Sequence, residues 1–192
     1  RSLSFSFQAL TVGACLLVLG IHALLGDPIG VLTPLITELE PMLQRTAETL
    51  SRFGIDRSPA EIGVATARVA WATLGWMVLL HALLAQCAGL WGFARIREPG
   101  VFGRQFRELR LGRFIASALL GTFVLSLLAH RISGHGWQAA DDVLFVLAAA
   151  FLVQALAVVH GLRELQVIGV LPVIMAYVAL VSFETGKPPV VT

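Results

Sequence analysis

Four arginines recur at every third position in the stretch GRQFRELRLGRF, at Arg104, Arg107, Arg110 and Arg113. Guanidinium groups so spaced suit phosphates, on a nucleic acid or in lipid head groups, or the carboxylates of an acidic partner. Wound as one helix over 101–113, the stretch puts Phe102, Phe106 and Leu109 on one side, with Arg104, Arg107 and Arg110 across the opposite arc. Glu108 then lies four residues from Arg104, the spacing of a helical ion pair. An apolar edge with two phenylalanines, backed by arginines, describes a helix lying among lipid head groups. Each basic residue beside an anionic leaflet contributes about 1 kcal/mol, so the run is expected to anchor the protein at the membrane interface. Docking to a cytoplasmic partner is the alternative. Nucleic acid is not expected, because the aromatics point away from the arginines and the formal net charge is only +2.

Two further polar groups stand inside long apolar stretches. His81 and Gln154 fall at similar mid-bilayer depth, and ionisable groups there are costly and usually functional. They are expected to face each other, as a hydrogen bond or as two walls of a small polar pocket. The plainer alternative is a neutral His81 bonded to a backbone carbonyl or a hydroxyl such as that of Thr73, an interhelical contact worth about 0.6 kcal/mol. His22, Arg68, His130 and Arg131 lie towards span ends, where snorkelling to water is the default, and His160 beside Arg163 and Glu164 reads as a helix-end group. Cys15 and Cys87 have no CxxC spacing and no histidine at ligand distance, so both read as small buried hydrophobes and no metal site is expected. Axial histidine pairs, HExxH, a Walker loop and a nucleophile elbow are missing, so neither a cofactor nor an enzyme with a familiar site is expected.

The elements that must position these groups follow from composition. Hydrophobic residues make up 57% of the 192 positions and charged residues 14%, with a mean hydropathy of +0.82. A soluble domain carries roughly 25% charged residues, so this chain belongs in a bilayer. A spanning helix needs about 20 apolar residues, and five stretches qualify or nearly do: 5–26, 69–94, 114–131, 142–160 and 167–183. The first closes at Gly26-Asp27-Pro28. TVGAC before Cys15 is faintly like a lipoprotein cleavage box, but the apolar run continues past the cysteine, so the span is expected to be retained. The chain begins at Arg1 without methionine, which reads as a processed chain or a fragment. The second stretch has its helix start earlier, with Ser58 as N-cap and Pro59 at N1, and runs to about Ile96. Asp141 and Asp142 suit the start of the fourth. The fifth is short and holds Pro172, so it is expected to be tilted, kinked or incomplete. Trp71, Trp91 and Trp137 suit an interfacial belt, with Trp76 deeper.

Loop charges orient the set. Six arginines (95, 97, 104, 107, 110 and 113) against Glu98 and Glu108 separate spans two and three, whereas the stretch 27–61 carries six acids against three arginines. Positive charge stays on the cytoplasmic side, which puts the arginine elbow inside and the acidic loop outside. Glu98-Pro99-Gly100 supplies the break into the elbow, and Gly112 offers a bend before span three. In the outer loop 27–61, Leu35, Leu39, Met42, Leu43 and Leu50 recur at helical spacing, predicting an amphipathic segment. Small residues four apart, Ala9 with Gly13, Gly63 with Ala67 and Ser117 with Gly121, predict helix-packing faces within the chain or with another subunit. No repeat or linker divides the chain, so a single all-α polytopic membrane helix bundle is expected over 1–192.

The segments WGFARIREPGVFGRQFRELRLGRF (91–114) and FLVQALAVVHGL (151–162) resemble the YybS-like family of bacterial multi-span membrane proteins. In that family an aromatic helix end, a Pro/Gly break and an F-R-x-L-R-L-G elbow precede a late span ending in F-x-x-Q-G-L-A-x-x-H. The likeness covers roughly residues 20–165; Ala155 stands where that motif has glycine. The resemblance implies a bacterial inner-membrane protein with no catalytic residues to carry over, and more distantly a likeness to substrate-binding components of vitamin transporters. Two functions are therefore expected: an accessory subunit packed against other membrane proteins, or the binding component of a small-molecule transporter.

Overall fold

A computed structural model describes residues 2–97, 100–133 and 137–185 of the chain. All regular structure among them is helical: α1 Leu3–Leu25, α2 Pro28–Glu38, α3 Glu40–Ser51, α4 Pro59–Arg68, α5 Ala70–Arg97, α6 Val101–Arg107, α7 Gly112–Ser133, α8 Gln138–Glu164 and α9 Val170–Thr185. Glu98, Pro99, Arg1 and the tail beyond 185 lie outside the described residues. Four helices, α1, α5, α7 and α8, are long and apolar enough to cross a membrane. The shortest of them, α7, has 22 residues, which at 1.5 Å per residue gives about 33 Å against a hydrocarbon core of about 30 Å. The protein is a multi-span membrane helix bundle.

The stretch expected as a fifth span forms α9, whose 16 residues reach only about 24 Å. By length its described residues fall short of the core. Pro172 does not kink it, because it sits in the first turn, where its missing N–H would have had no intrahelical acceptor.

The second span is not one helix from Ser58. The expected cap is present: Ser58 Oγ accepts from Glu61 N at 3.2 Å while Glu61 Oε2 accepts from Ser58 N at 2.9 Å. The helix then breaks at Val69, whose φ and ψ are −97° and 6°. Beside the break, the carbonyl of Arg68 accepts from Gln138 Nε2 at 2.5 Å, a bond from outside its own helix. The loop 27–61 resolves into two helices joined at Leu39. Asp27 caps α2 by accepting from Ile29 N, with Pro28 at N1. On α4, a Cβ at Gly63 would stand 2.6 Å from Ile36 Cγ2 and 3.2 Å from Leu43 Cδ1, so Gly63 packs α4 against α2 and α3. Ala67, one turn further along α4, is a core residue, only 2% exposed.

The described residues divide into two compact units that share α1, α5, α7 and α8. The first takes 2–12, 79–120 and 147–185 and is centred on Phe7, Leu79, Leu109, Leu111 and Ala157. The second takes 13–78 and 121–146 and is centred on Val18, Ala72, Trp76 and Val146. In the second unit a Cβ at Gly75 would lie 2.5 Å from Val18 Cγ2 and 3.1 Å from Val146 Cγ2. Close approach there requires glycine.

Candidate functional site

The arginine run is not one helix over 101–113. In the first unit α6 stops at Arg107, Glu108 closes it with its N–H on Arg104 O, residues 109–111 leave the helix, and α7 starts at Gly112. Arg104 and Arg107 therefore belong to α6, Arg110 to the irregular link, and Arg113 to the first turn of α7. The physical reason is burial. Leu109 and Leu111, two apart, are each 1% exposed, an alternation that a helical turn cannot provide.

An irregular backbone in a membrane bundle needs its polar groups satisfied by other parts of the protein. Here three side chains do so. Ser4 Oγ donates to the carbonyl of Glu108 at 3.0 Å and lies 3.1 Å from Arg110 N, which donates to it. Gln8 Nε2 donates to the carbonyl of Arg110 at 2.9 Å, and Gln154 Oε1 accepts from Leu111 N at 2.9 Å. Ser4 and Gln8, one helical turn apart on α1, thus hold one side of the link and Gln154 of α8 the other. Gly112 completes the clamp: its φ is +76°, and an added Cβ would stand 3.3 Å from Gln8 Nε2. Polar residues in the first turns of an apolar helix were the available signal for this role, and the sequence reading passed over Ser4 and Gln8.

The paired role expected of His81 and Gln154 takes a different shape. Gln154 is half-buried and serves the Leu111 amide, while His81 is exposed on α5 and does not line the groove beside Gln154. Among the described residues the elbow's ion pair is not Arg104–Glu108 but Arg107–Glu164, which ties α6 to α8. Phe102 and Phe106 do share a face, with ring centroids 6.0 Å apart. Phe106 in turn lies 5.9 Å from the His160 ring, whose Nε2 is 3.0 Å from the Tyr177 hydroxyl on α9. His160 is thus a bridge between α6 and α9, beyond the helix-end role expected of it. Arg104, Arg110 and Arg113 are exposed.

In the second unit the structure assembles a polar cluster from residues read separately in the sequence. His22 Nε2 lies 2.8 Å from Asp142 Oδ2, with side chains only 11% and 3% exposed. Gln138 Nε2 donates to Asp142 Oδ1 at 3.1 Å as well as to Arg68 O. Next to it, Ser126 Oγ donates to Asp141 Oδ1 at 2.5 Å and His130 Nδ1 donates to the carbonyl of Ser126 at 2.9 Å. His22 therefore does not snorkel. Trp71 is likewise buried, with Nε1 donating to the carbonyl of Gly26 at 3.2 Å.

The chemistry open to this cluster is limited. Ser126 gives its proton to a carboxylate and its carbonyl to His130, whereas the serine of a Ser-His-Asp triad has its hydroxyl on an imidazole nitrogen. No group of three or more histidine, cysteine, aspartate or glutamate side chains among the described residues is placed to hold a metal ion. His22 and Asp142 form a buried polar pair within spanning helices α1 and α8.

Comparison of the chain with protein-family models, with curated proteins and with solved structures found no match. Function must be argued from the geometry. The remaining packing candidates separate cleanly on that basis. Gly63 and Ala67 are both buried, so the face they form on α4 is spent inside the chain and is not open to another subunit, one of the two uses expected of it. The cause for Ala67 is that its small side chain is already covered by the fold at 2% exposure, which leaves no surface for a second helix to reach. A Cβ on Gly63 would collide within the chain, whereas one on Gly13 or Gly121 would meet nothing within 4 Å. Ala9, Ser117 and Gly121 are exposed, with the Ser117 hydroxyl bonded back to Arg113 O and Phe114 O of its own helix.

Proposed function

We propose that the protein is a non-catalytic accessory subunit of a membrane assembly in a bacterial inner membrane. Its arginine elbow faces the cytoplasm and its α2–α4 segment the outside, in keeping with the charge asymmetry of the two loops. Kinship with the YybS-like proteins belongs to the same proposal and rests on residues 91–114 and 151–162. The observation that carries the reading is the surface of α7. Phe114, Leu120, Phe123 and Leu127 are 74, 64, 47 and 50% exposed, Ser117 and Gly121 are exposed on the same helix, and a Cβ added at Gly121 would meet nothing within 4 Å among the described residues. Small residues four apart permit a second helix backbone to approach closely, which in lipid is the main source of helix association.

A second reading is a small-molecule transporter component, favoured by the buried His22–Asp142 pair, since intramembrane ionisable pairs recur along proton and substrate pathways. One experiment separates the two. The tagged chain and its Gly121→Leu variant are purified from native membranes in mild detergent, and co-purifying proteins are identified by mass spectrometry. The accessory reading expects a stoichiometric membrane protein that the variant loses while its own fold is kept. Co-purifying ATPase subunits or a bound vitamin, or a partner indifferent to Gly121→Leu, would replace it.

A further inference from the structure

Beside the elbow lies an open groove of about 930 Å³, contained within the first unit. Five charged residues line it: Arg107, Glu108, Arg110, Arg113 and Glu164. Arg107 and Glu164 neutralise each other in an ion pair. Arg110 and Arg113 have no acidic partner among the described residues, and only Glu108 opposes them, which leaves the groove one positive charge in excess. Apart from Gln154, whose Oε1 is taken by Leu111 N, the other walls are apolar. Ala116 lies three residues on from Arg113 along α7, and Phe151, Val158 and Leu162 share one face of α8. Both helices are membrane-crossing, and Val158 is 49% exposed, so this wall opens towards lipid.

We propose that this groove is a binding site for one anionic phospholipid. The phosphodiester pairs with Arg110 and Arg113, and an acyl chain lies against Phe151 and Val158. The charge excess matches a single phosphodiester, and basic pockets between spanning helices are a recurring site for anionic head groups. A free phosphate would leave the apolar wall without purpose, and an acidic peptide would have to enter from the bilayer side. The arginines are presented without strain on the fold, because the clamp grips the backbone of residue 110 and leaves its side chain out of the bonding. The site requires no protein partner, so its test is separate from that of the accessory reading.

The full chain is placed in nanodiscs of phosphatidylcholine with a minor share of phosphatidylglycerol, released, and its retained lipids are counted by native mass spectrometry. One phosphatidylglycerol is expected to stay bound. Removing an arginine that contacts the phosphate is expected to weaken retention about fivefold, so Arg110→Ala with Arg113→Ala lowers it about 25-fold. Arg104→Ala, outside the groove, leaves retention unchanged, and Glu108→Gln raises it. Gly161→Leu supplies the second arm: the residue lines the groove and an added Cβ meets nothing within 4 Å, so the variant folds, keeps both arginines and blocks the acyl chain. Equal losses from Arg104→Ala and Arg110→Ala would show diffuse attraction and overturn the site. Full retention in Gly161→Leu, or displacement of the lipid by inorganic phosphate, would overturn its assignment to a phospholipid.

Discussion

The His22–Asp142 contact sets a quantitative test of what polar residues do inside this bundle. Two regimes are well apart. An ordinary interhelical hydrogen bond in a membrane protein contributes about 0.6 kcal/mol, whereas removing one member of a buried charge pair costs about 3–5 kcal/mol, because the other is left uncompensated. The 2.8 Å separation and the 3% exposure of Asp142 make the second regime the one this pair tests. Gln138 still donates to the carboxylate when the imidazole is gone, so His22→Leu is expected at the lower end, about 3 kcal/mol. Asp142→Leu is expected to cost less, about 2 kcal/mol, because Gln138 keeps its bond to Arg68 O when the carboxylate is gone. The double variant removes both polar groups together and is expected near 2 kcal/mol, an interaction energy of about 3 kcal/mol. Reversible unfolding of the four proteins in mixed micelles, driven by rising sodium dodecyl sulfate, measures all the terms. If the double variant loses the sum of the two singles within about 0.5 kcal/mol, the residues act independently and the argument fails.

Two other outcomes follow from the packing and the cap. Gly75→Leu is expected to destabilise the fold by about 2–3 kcal/mol, since even a Cβ there overlaps Val18 and Val146, while Gly13→Leu on open surface changes the same unfolding midpoint little. The Glu61 carboxyl is held below the usual glutamate range, first by the Ser58 backbone N–H, then by the Ser58 hydroxyl bond, with Arg57 nearby adding to it against a small burial effect. A lowered folded value means that its contribution is complete above the unfolded value and is lost as pH falls through the folded one. Amide protection in α4, taken relative to the intrinsic exchange rate at each pH, is therefore expected to fall on acidification through that window, and in Glu61→Gln this added acid sensitivity should vanish.

What could be read from the sequence was whatever depends on local chemistry. The four crossing helices follow from unbroken apolar length, the α4 start from Ser58, Pro59 and Glu61, and the stop before α2 from Gly26-Asp27-Pro28. Failures cluster where a residue answers to something remote. Helical periodicity made one helix of 101–113, yet the burial of Leu109 and Leu111 and the bonds from Ser4, Gln8 and Gln154 outweigh about four intrahelical bonds. Nothing local indicated that the Gln154 carbonyl would take the Leu111 N–H, because depth in a span carries no angular information. Spacing marked Ala67 and Gly121 alike as packing positions, and only the fold tells the buried one from the open one. His22 and Asp142 stand 120 residues apart, so nothing local couples them.

Four polar side chains of this protein share one office. Ser4, Gln8 and Gln154 close the bonds of an unwound link, and Gln138 meets the carbonyl beside the α4–α5 break. A solute pathway needs polar side chains with bonding capacity left for a passenger, and these have given theirs to backbone at the two places where the helices are interrupted. Interruptions so held are rigid, which fits an elbow presenting arginines at fixed positions better than one that must flex through a transport cycle. A label that reports motion at Arg110 relative to Gln154 can decide this: tight, unimodal separations in lipid are expected, and a broad or two-peaked distribution would return the transporter reading to first place.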